Sequence, residues 1–384
     1  MKKILARNSA LDVFRGMAIA IMILVDAVPD FNAVPPILAH SPWQGITLAD
    51  LAFPGFVFSM GVSAAFSFRH GAHRSPGEWR RKILQRIFRL FLLGLLVNAM
   101  PAFFDLLLVP GYDGAAFFDQ AVAHGRIPSV LGRLALTYGL GMGLLLLLKS
   151  RGRLSVAAFA LLFVSSLGFH IYAPADPFAP GHNISQAVDL VVPGAAHVCP
   201  YYDFPFDPEG LYGTLASTAS MLFGCLAGQM LSGNDSARAK FPVLFGSGLC
   251  LLMMGWAWSF FDIISKPLWT APYALLTSGG SLALLACLDA SFQNFPRMAA
   301  WFRPFLAFGA NPLLWYVVTN MALMLLWELP SPDPDISSYT WLWLQWSEGF
   351  GQTPATAAAH MVLWSILWWP LAEVFYRRGI LVKI

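Results

Sequence analysis

Residues 127–172 read IPSVLGRLALTYGLGMGLLLLLKSRGRLSVAAFALLFVSSLGFHIY: an apolar run to Leu148, a basic turn through Lys149, Arg151 and Arg153, and a second apolar run from Leu154. A bilayer core about 30 Å thick needs about 20 mostly apolar residues per helix. Each run is long enough to cross, and a turn carrying three cations stays out of lipid. The segment is therefore two membrane helices returning through one short connection. Working outward, the same pattern recurs. Of 384 residues 57% are hydrophobic and only 12% charged, against roughly a quarter charged in soluble domains.

Ten such runs are predicted, at about 11–29, 47–68, 84–101, 127–148, 154–172, 209–232, 241–261, 268–289, 304–327 and 354–376. A shorter apolar piece, Phe103 to Leu108, is too brief to span and lies in the interface or re-enters. The formal net charge of +3 matters less than where the cations sit. Lys2, Lys3 and Arg7, the segment from Arg69 to Lys82, the turn 149–153, Arg238 with Lys240, Arg297 with Arg303, and Arg377, Arg378 and Lys383 all fall on alternate connections. The other connections hold only Arg126 and Lys266. The positive-inside rule then puts both ends in the cytoplasm. The expected architecture is an all-α polytopic membrane helix bundle of about ten transmembrane helices, one domain over residues 1–384, in the inner (plasma) membrane of a prokaryote. No cleavable signal peptide is read after Met1. Cys199, Cys225, Cys250 and Cys287 show no CxxC spacing, so neither a disulfide framework nor a structural zinc site is expected.

Charges within or beside spans are costly and have a partner or a task. Asp12 and Arg15, three apart, share a helix face as an ion pair, unless Arg15 meets an anionic ligand. Asp26 lies near the far end of the same run. His40 precedes Asp50 by ten residues; a carboxylate orienting one ring nitrogen leaves the other as base or nucleophile, whereas a loop histidine and a helix-start aspartate are the plainer alternative. Arg126 and Arg133, seven apart, share a face, so Arg133 points into the bundle, toward a carboxylate or an anionic ligand. Asp207 and Glu209 sit at a helix start, where the dipole favours them; capping accounts for Asp207 better than for Glu209, which is free to accept from an amine or a sugar hydroxyl. Lys266 and Trp269 put a cation and an indole at one interface. Asn311-Pro312 breaks a span early, as a kink lining a cavity does. Asn183-Ile184-Ser185 matches a glycosylation sequon.

Several of these blocks resemble one family. Leu11-Asp12-Val13-Phe14-Arg15-Gly16, His40 through Pro54, Arg126-Ile127-Pro128 to Tyr138, Asp207 to Thr214, Lys266 to Trp269, Asn311 and the ending from Tyr376 to Ile384 are similar, in order, to the transmembrane N-acetyltransferases related to heparan-alpha-glucosaminide N-acetyltransferase. The resemblance implies a ten-helix core, cytosolic acetyl-CoA as donor with no metal, an acceptor amine on a glucosamine-type sugar across the membrane, and His40 as the catalytic residue. Two departures stand out: Asp26 occupies a position where the family has Asn, and Val188-Asp189-Leu190 stands where it has Ile-Asp-Arg.

On that reading His40 is base or transient acetyl carrier, oriented by Asp26 or Asp50. Arg15, Arg133 and Asn311 are the expected donor contacts, with Arg133 equally suited to bridging helices, and Glu209, Lys266 and Trp269 the expected acceptor contacts. The expected partners are an amino sugar or glycan, membrane lipid and a second copy of the chain, with no nucleic acid. An O-acetyltransferase of a cell-envelope glycan and a secondary transporter are the rival functions.

Overall fold

The computed structural model describes residues 8–71, 73–233, 237–295 and 297–382. Lys2, Lys3, Arg7 and Lys383, counted above for topology, lie outside them. In chain order the helices are α1 (Ser9–Asp26), α2 (Ala52–His70), α3 (Pro76–Asn98), α4 (Met100–Leu108), α5 (Gly114–Phe118), α6 (Val130–Leu148), α7 (Arg151–Tyr172), α8 (Ile184–Val191), α9 (Thr214–Leu231), α10 (Ala237–Trp258), α11 (Ala271–Asn294), α12 (Met298–Trp301), α13 (Arg303–Ala310), α14 (Pro312–Glu328), α15 (Ser338–Glu348) and α16 (Pro354–Arg378). No strand occurs among the described residues, as lipid demands of a helical membrane protein.

Among the described residues seven helices are long and apolar enough to cross a bilayer, and up to nine spans result if each of two bent pairs counts once. The tenth predicted span is α1, as apolar as α2 but carrying three charges, Asp12, Arg15 and Asp26, within its 18 residues, more than any of the counted spans holds over that length. The first bent pair joins α3 to α4 at 41°, so the short apolar piece at 103–108 follows directly on α3, as a broken span or a re-entrant turn. The second joins α13 to α14 at 89°, a sharper break than a kink. Pro312 cannot donate back into α13, which is why the ladder stops there.

The interior is apolar, as in a soluble protein, and much of the outer surface is apolar too. In α9 78% of the spanning window is enclosed by protein, in α16 only 17%. Leucine, valine, phenylalanine and methionine cover the outer faces of α7, α10 and α16, as at Phe163, Met253 and Leu367. The inner helices meet where glycines remove the side chain. A Cβ on Gly16 of α1 would lie 1.8 Å from the Phe305 carbonyl oxygen of α13, and one on Gly309 of α13 would lie 1.8 Å from that of Asp12. Lipid supplies no hydrophobic drive between helices, so this close approach is what holds α1 on α13. Gly309→Ala is expected to destabilise by several kcal/mol through backbone displacement, beyond the ordinary overpacking cost of about 1–3 kcal/mol. Gly246→Ala on α10, with nothing within 4 Å, is expected to stay within about 1 kcal/mol of wild type. Thermal midpoints of the two purified variants check this.

Candidate active site

One end of the bundle gathers the ends of α1 and α14 and the starts of α2, α6, α9 and α11. Here the connection 39–50 is tied down by one carboxylate. Asp50, wholly buried, accepts through Oδ2 from the Ser41 and Thr47 amides, both at 3.1 Å, and lies 3.1 Å from the Thr47 hydroxyl. Its other oxygen is 2.8 Å from Nδ1 of His40. Tyr273 of α11 donates to the Asp50 carbonyl at 2.6 Å, and the Gly45 amide donates to the Ile264 carbonyl at 2.7 Å. Three chain segments thus fix a histidine whose side chain is 44% exposed. A carboxylate at Nδ1 assigns the proton to that nitrogen and leaves Nε2 as the lone-pair atom.

Lys266 joins this pair. Its Nζ stands 3.1 Å from Nδ1 and 3.2 Å from Nε2 of His40, and 3.8 Å from Asp50 Oδ1. Burial pushes the Lys266 ammonium below the usual lysine range, against the opposing pull of Glu209, Asp50 and Asp26. Lys266 therefore belongs to the histidine's surroundings. Asp26 accepts through Oδ2 from Asn320 of α14 at 3.0 Å, and the carboxylate hydrogen-bonded to His40 Nδ1 is that of Asp50.

Beside this cluster, Arg126 binds both oxygens of Asp207, at 2.7 and 2.6 Å, and Glu209 Oε2 at 2.5 Å. Arg126 lies in the irregular stretch before α6, so the seven-residue spacing does not set it on one helix face with Arg133, although both reach the 207–210 segment. Arg133 is 1% exposed and donates to the Gly210 carbonyl at 2.6 Å, with its guanidinium 5.3 Å from the centre of the Trp269 ring. Glu209 is drawn below its ordinary range because the nearby cations, Arg126 foremost, outweigh the burial that would raise it. Trp269 is fully buried against Phe53 and Tyr273, so its indole packs inside the bundle. Around these residues Trp43 meets Tyr202 and Phe204, and Tyr202 meets Phe206, edge to face as an ordered cover. Asn183 is wholly buried and caps α8 through the Gln186 amide, which leaves the sequon inaccessible.

Asp189 of α8 is also buried. It accepts from the Leu211 amide at 3.1 Å, while its second oxygen has no partner among the described residues. Burial raises its carboxyl from the ordinary 3.8 to about 6. The folded protein then holds this proton more tightly than the unfolded chain does, so the contribution to stability is full below pH 3.8 and is lost as pH rises to about 6. That shift corresponds to roughly 3 kcal/mol at most. Asp189→Asn is expected to flatten the decline of thermal midpoint between pH 4 and 6.5, measured in one detergent at constant ionic strength.

The opposite end holds a second polar cavity of about 460 Å³, lined by Arg15, Ser59, Ser63, Arg86 and Asn311 among others. Arg15 bonds Asp12, as the three-residue spacing implies. Arg86 lies over the Tyr138 ring at 4.4 Å, and its Nε has no hydrogen-bond partner among the described residues. Asn311 donates to the Ile380 carbonyl and accepts from the Val382 amide, both at 2.8 Å, so its amide pins the chain's final segment. Arg133 is at the His40 end, apart from Arg15 and Asn311. Asn320 and Arg86 escaped the sequence reading; Asn320, a lone amide within an apolar run, carried a signal, and Arg86, one cation among many in α3, did not.

A family model described as the catalytic region of heparan-alpha-glucosaminide N-acetyltransferase matches residues 7–175. The chain resembles these N-acetyltransferases. Human heparan-alpha-glucosaminide N-acetyltransferase is 25% identical over 433 aligned residues, and the mouse protein 24% over the same length. Each alignment covers 98% of this chain and 60% of the relative, so the chain spans 60% of the length of the relatives it matches. The part matched by the model of heparan-alpha-glucosaminide N-acetyltransferase contains Asp26, His40, Asp50, Arg86, Arg126 and Arg133; Glu209 and Lys266 come from beyond it. Among the described residues no group of His, Cys, Asp and Glu is arranged to hold a metal ion.

Proposed function

We propose that this integral membrane protein moves an acetyl group from cytosolic acetyl-CoA to the amine of a glucosamine-type sugar on the other side of a prokaryotic inner membrane, with both chain ends cytoplasmic. The observation that carries the reading is a half-exposed His40 held at Nδ1 by the buried Asp50 at 2.8 Å. The amine attacks the thioester carbonyl carbon; a C–N bond forms, the C–S bond breaks, and coenzyme A leaves as thiol. His40 Nε2 takes the amine proton and returns it to the departing sulfur, or first accepts the acetyl group itself. Lys266 supplies positive charge for the developing oxyanion.

The cavity at the opposite end suits the donor. Arg15 and Arg86 offer guanidinium groups to phosphates, with the hydroxyls of Ser59 and Ser63 alongside. Eleven residues separate Arg15 from Asp26 on α1, which puts them about 20° apart on one helix face and about 16 Å apart along it. An extended pantetheine arm covers that distance, though not a whole bilayer of about 30 Å. The acceptor is assigned to the His40 end, where Asn98, Gln120, Arg126 and Tyr202 line a cavity of about 750 Å³. The test is transfer of radiolabel from acetyl-CoA to a panel of amino sugars and their N-blocked counterparts. Label in an alkali-stable amide supports N-acetylation. Label only in an alkali-labile ester points to the O-acetyltransferase, and no label in either rejects the enzyme reading.

A further inference from the structure

Away from both sites, two cavities share Arg151. One, of about 670 Å³, is lined by Arg69, Lys149 and Arg151 at the basic end of the bundle, together with Ser150 and Gln229. The other, of about 340 Å³, is a cleft among α7, α9, α10 and α11, walled by side chains such as Phe159, Phe223, Leu226 and Met254. No carboxylate lines either one among the described residues. The cleft lies beside α7 and α10, whose spanning windows are only 33% and 22% enclosed by protein, so it opens toward lipid. Arg151 donates one N–H to the Gln229 carbonyl at 2.9 Å, which fixes its guanidinium where the cavities meet. It also opens α7, whose N-terminal dipole end favours an anion.

Lys149 adds an independent observation. It ends α6 with φ of 55°, a conformation that costs a lysine strain and a glycine almost none. The connection from α6 to α7 would be more comfortable with glycine; instead it holds a cation over the basic cavity.

We propose that this joint cavity binds an anionic phospholipid, its phosphate against Arg69, Lys149 and Arg151 and one acyl chain in the cleft. A cationic pocket continuous with a lipid-facing apolar cleft matches both halves of such a molecule, whereas a free phosphate uses only the first. The proposal does not depend on the acetyltransferase reading.

Delipidated full-length protein in detergent is titrated with phosphatidylglycerol, phosphatidylcholine and glycerol 3-phosphate, read by native mass spectrometry and thermal shift. Phosphatidylglycerol is expected to be retained preferentially, and each cation removed, as in Arg69→Gln, to weaken retention about fivefold. Lys149→Gly is the discriminating variant: it should bind phosphatidylglycerol less while its midpoint without lipid is unchanged or higher. Cys250→Trp, filling the cleft, should weaken both lipids' retention without touching a charge. Equal retention of the two lipids, or an equal shift from glycerol 3-phosphate, would overturn the proposal. So would protection by acetyl-CoA that the same cation variants abolish, which would assign the cavity to the donor.

Discussion

His40→Ala is expected to lower acetyl transfer by about 10²–10⁴-fold, the range for loss of a positioned general base, with little change in fold. The imidazole is half exposed and its contacts are the Asp50 oxygen and the Lys266 ammonium, so its removal opens no cavity in the core. The lost term is proton transfer, and it falls on kcat more than on KM for acetyl-CoA. The Arg15–Arg86 cavity, at the other end of α1, keeps its lining. Steady-state kinetics with the thermal midpoint as control measure both. A His40→Ala protein that transfers acetyl at the wild-type rate would remove the histidine from the mechanism.

Asp50→Asn is expected to cost nearly as much by a different route. The amide oxygen can take the place of Oδ2 and keep accepting from the Ser41 and Thr47 amides, so the loop stays closed. The amide nitrogen then faces His40 Nδ1 and donates where a carboxylate accepted. The ring must present a lone pair at Nδ1 and carry its proton on Nε2, the atom required as base, and a comparable tautomer reversal in serine proteases costs about 10⁴-fold. Asp50→Ala differs, since it strips the acceptor from two loop amides, and should lower stability as well as rate. A large fall in kcat for Asp50→Asn with a midpoint close to wild type, and a fall in both for Asp50→Ala, is the expected pattern. Equal activity of Asp50→Asn and wild type would mean that the carboxylate only anchors the loop.

Membrane helices are legible because lipid imposes one rule on every span: apolar side chains throughout and a closed backbone ladder. Each of the ten predicted runs coincides with a helix or a bent helix pair. The bends were less legible. Asn311-Pro312 announces a break, but 89° depends on how α13 and α14 pack and on Asn311 holding residues 380–382. The His40–Asp50 pair could be named from its ten-residue spacing together with the family resemblance, because both partners lie on one connection. Lys266 was expected on the same side of the membrane, yet nothing local tells that a residue 226 positions later reaches the imidazole. Arg133 was equally suited by its sequence to the donor and to bridging helices, and no local signal told that its guanidinium would lie against the Trp269 indole, buried and partly bonded to a backbone carbonyl.

The most direct test of the central claim is single-turnover transfer of radiolabelled acetyl from acetyl-CoA to glucosamine by the purified protein in nanodiscs, wild type beside His40→Ala. N-acetylglucosamine is expected from the wild type, with at least about a hundredfold slower formation in the variant, as loss of a general base implies. Acetylation at the same rate in both, or solute uptake that ignores acetyl-CoA and survives His40→Ala, would contradict the claim.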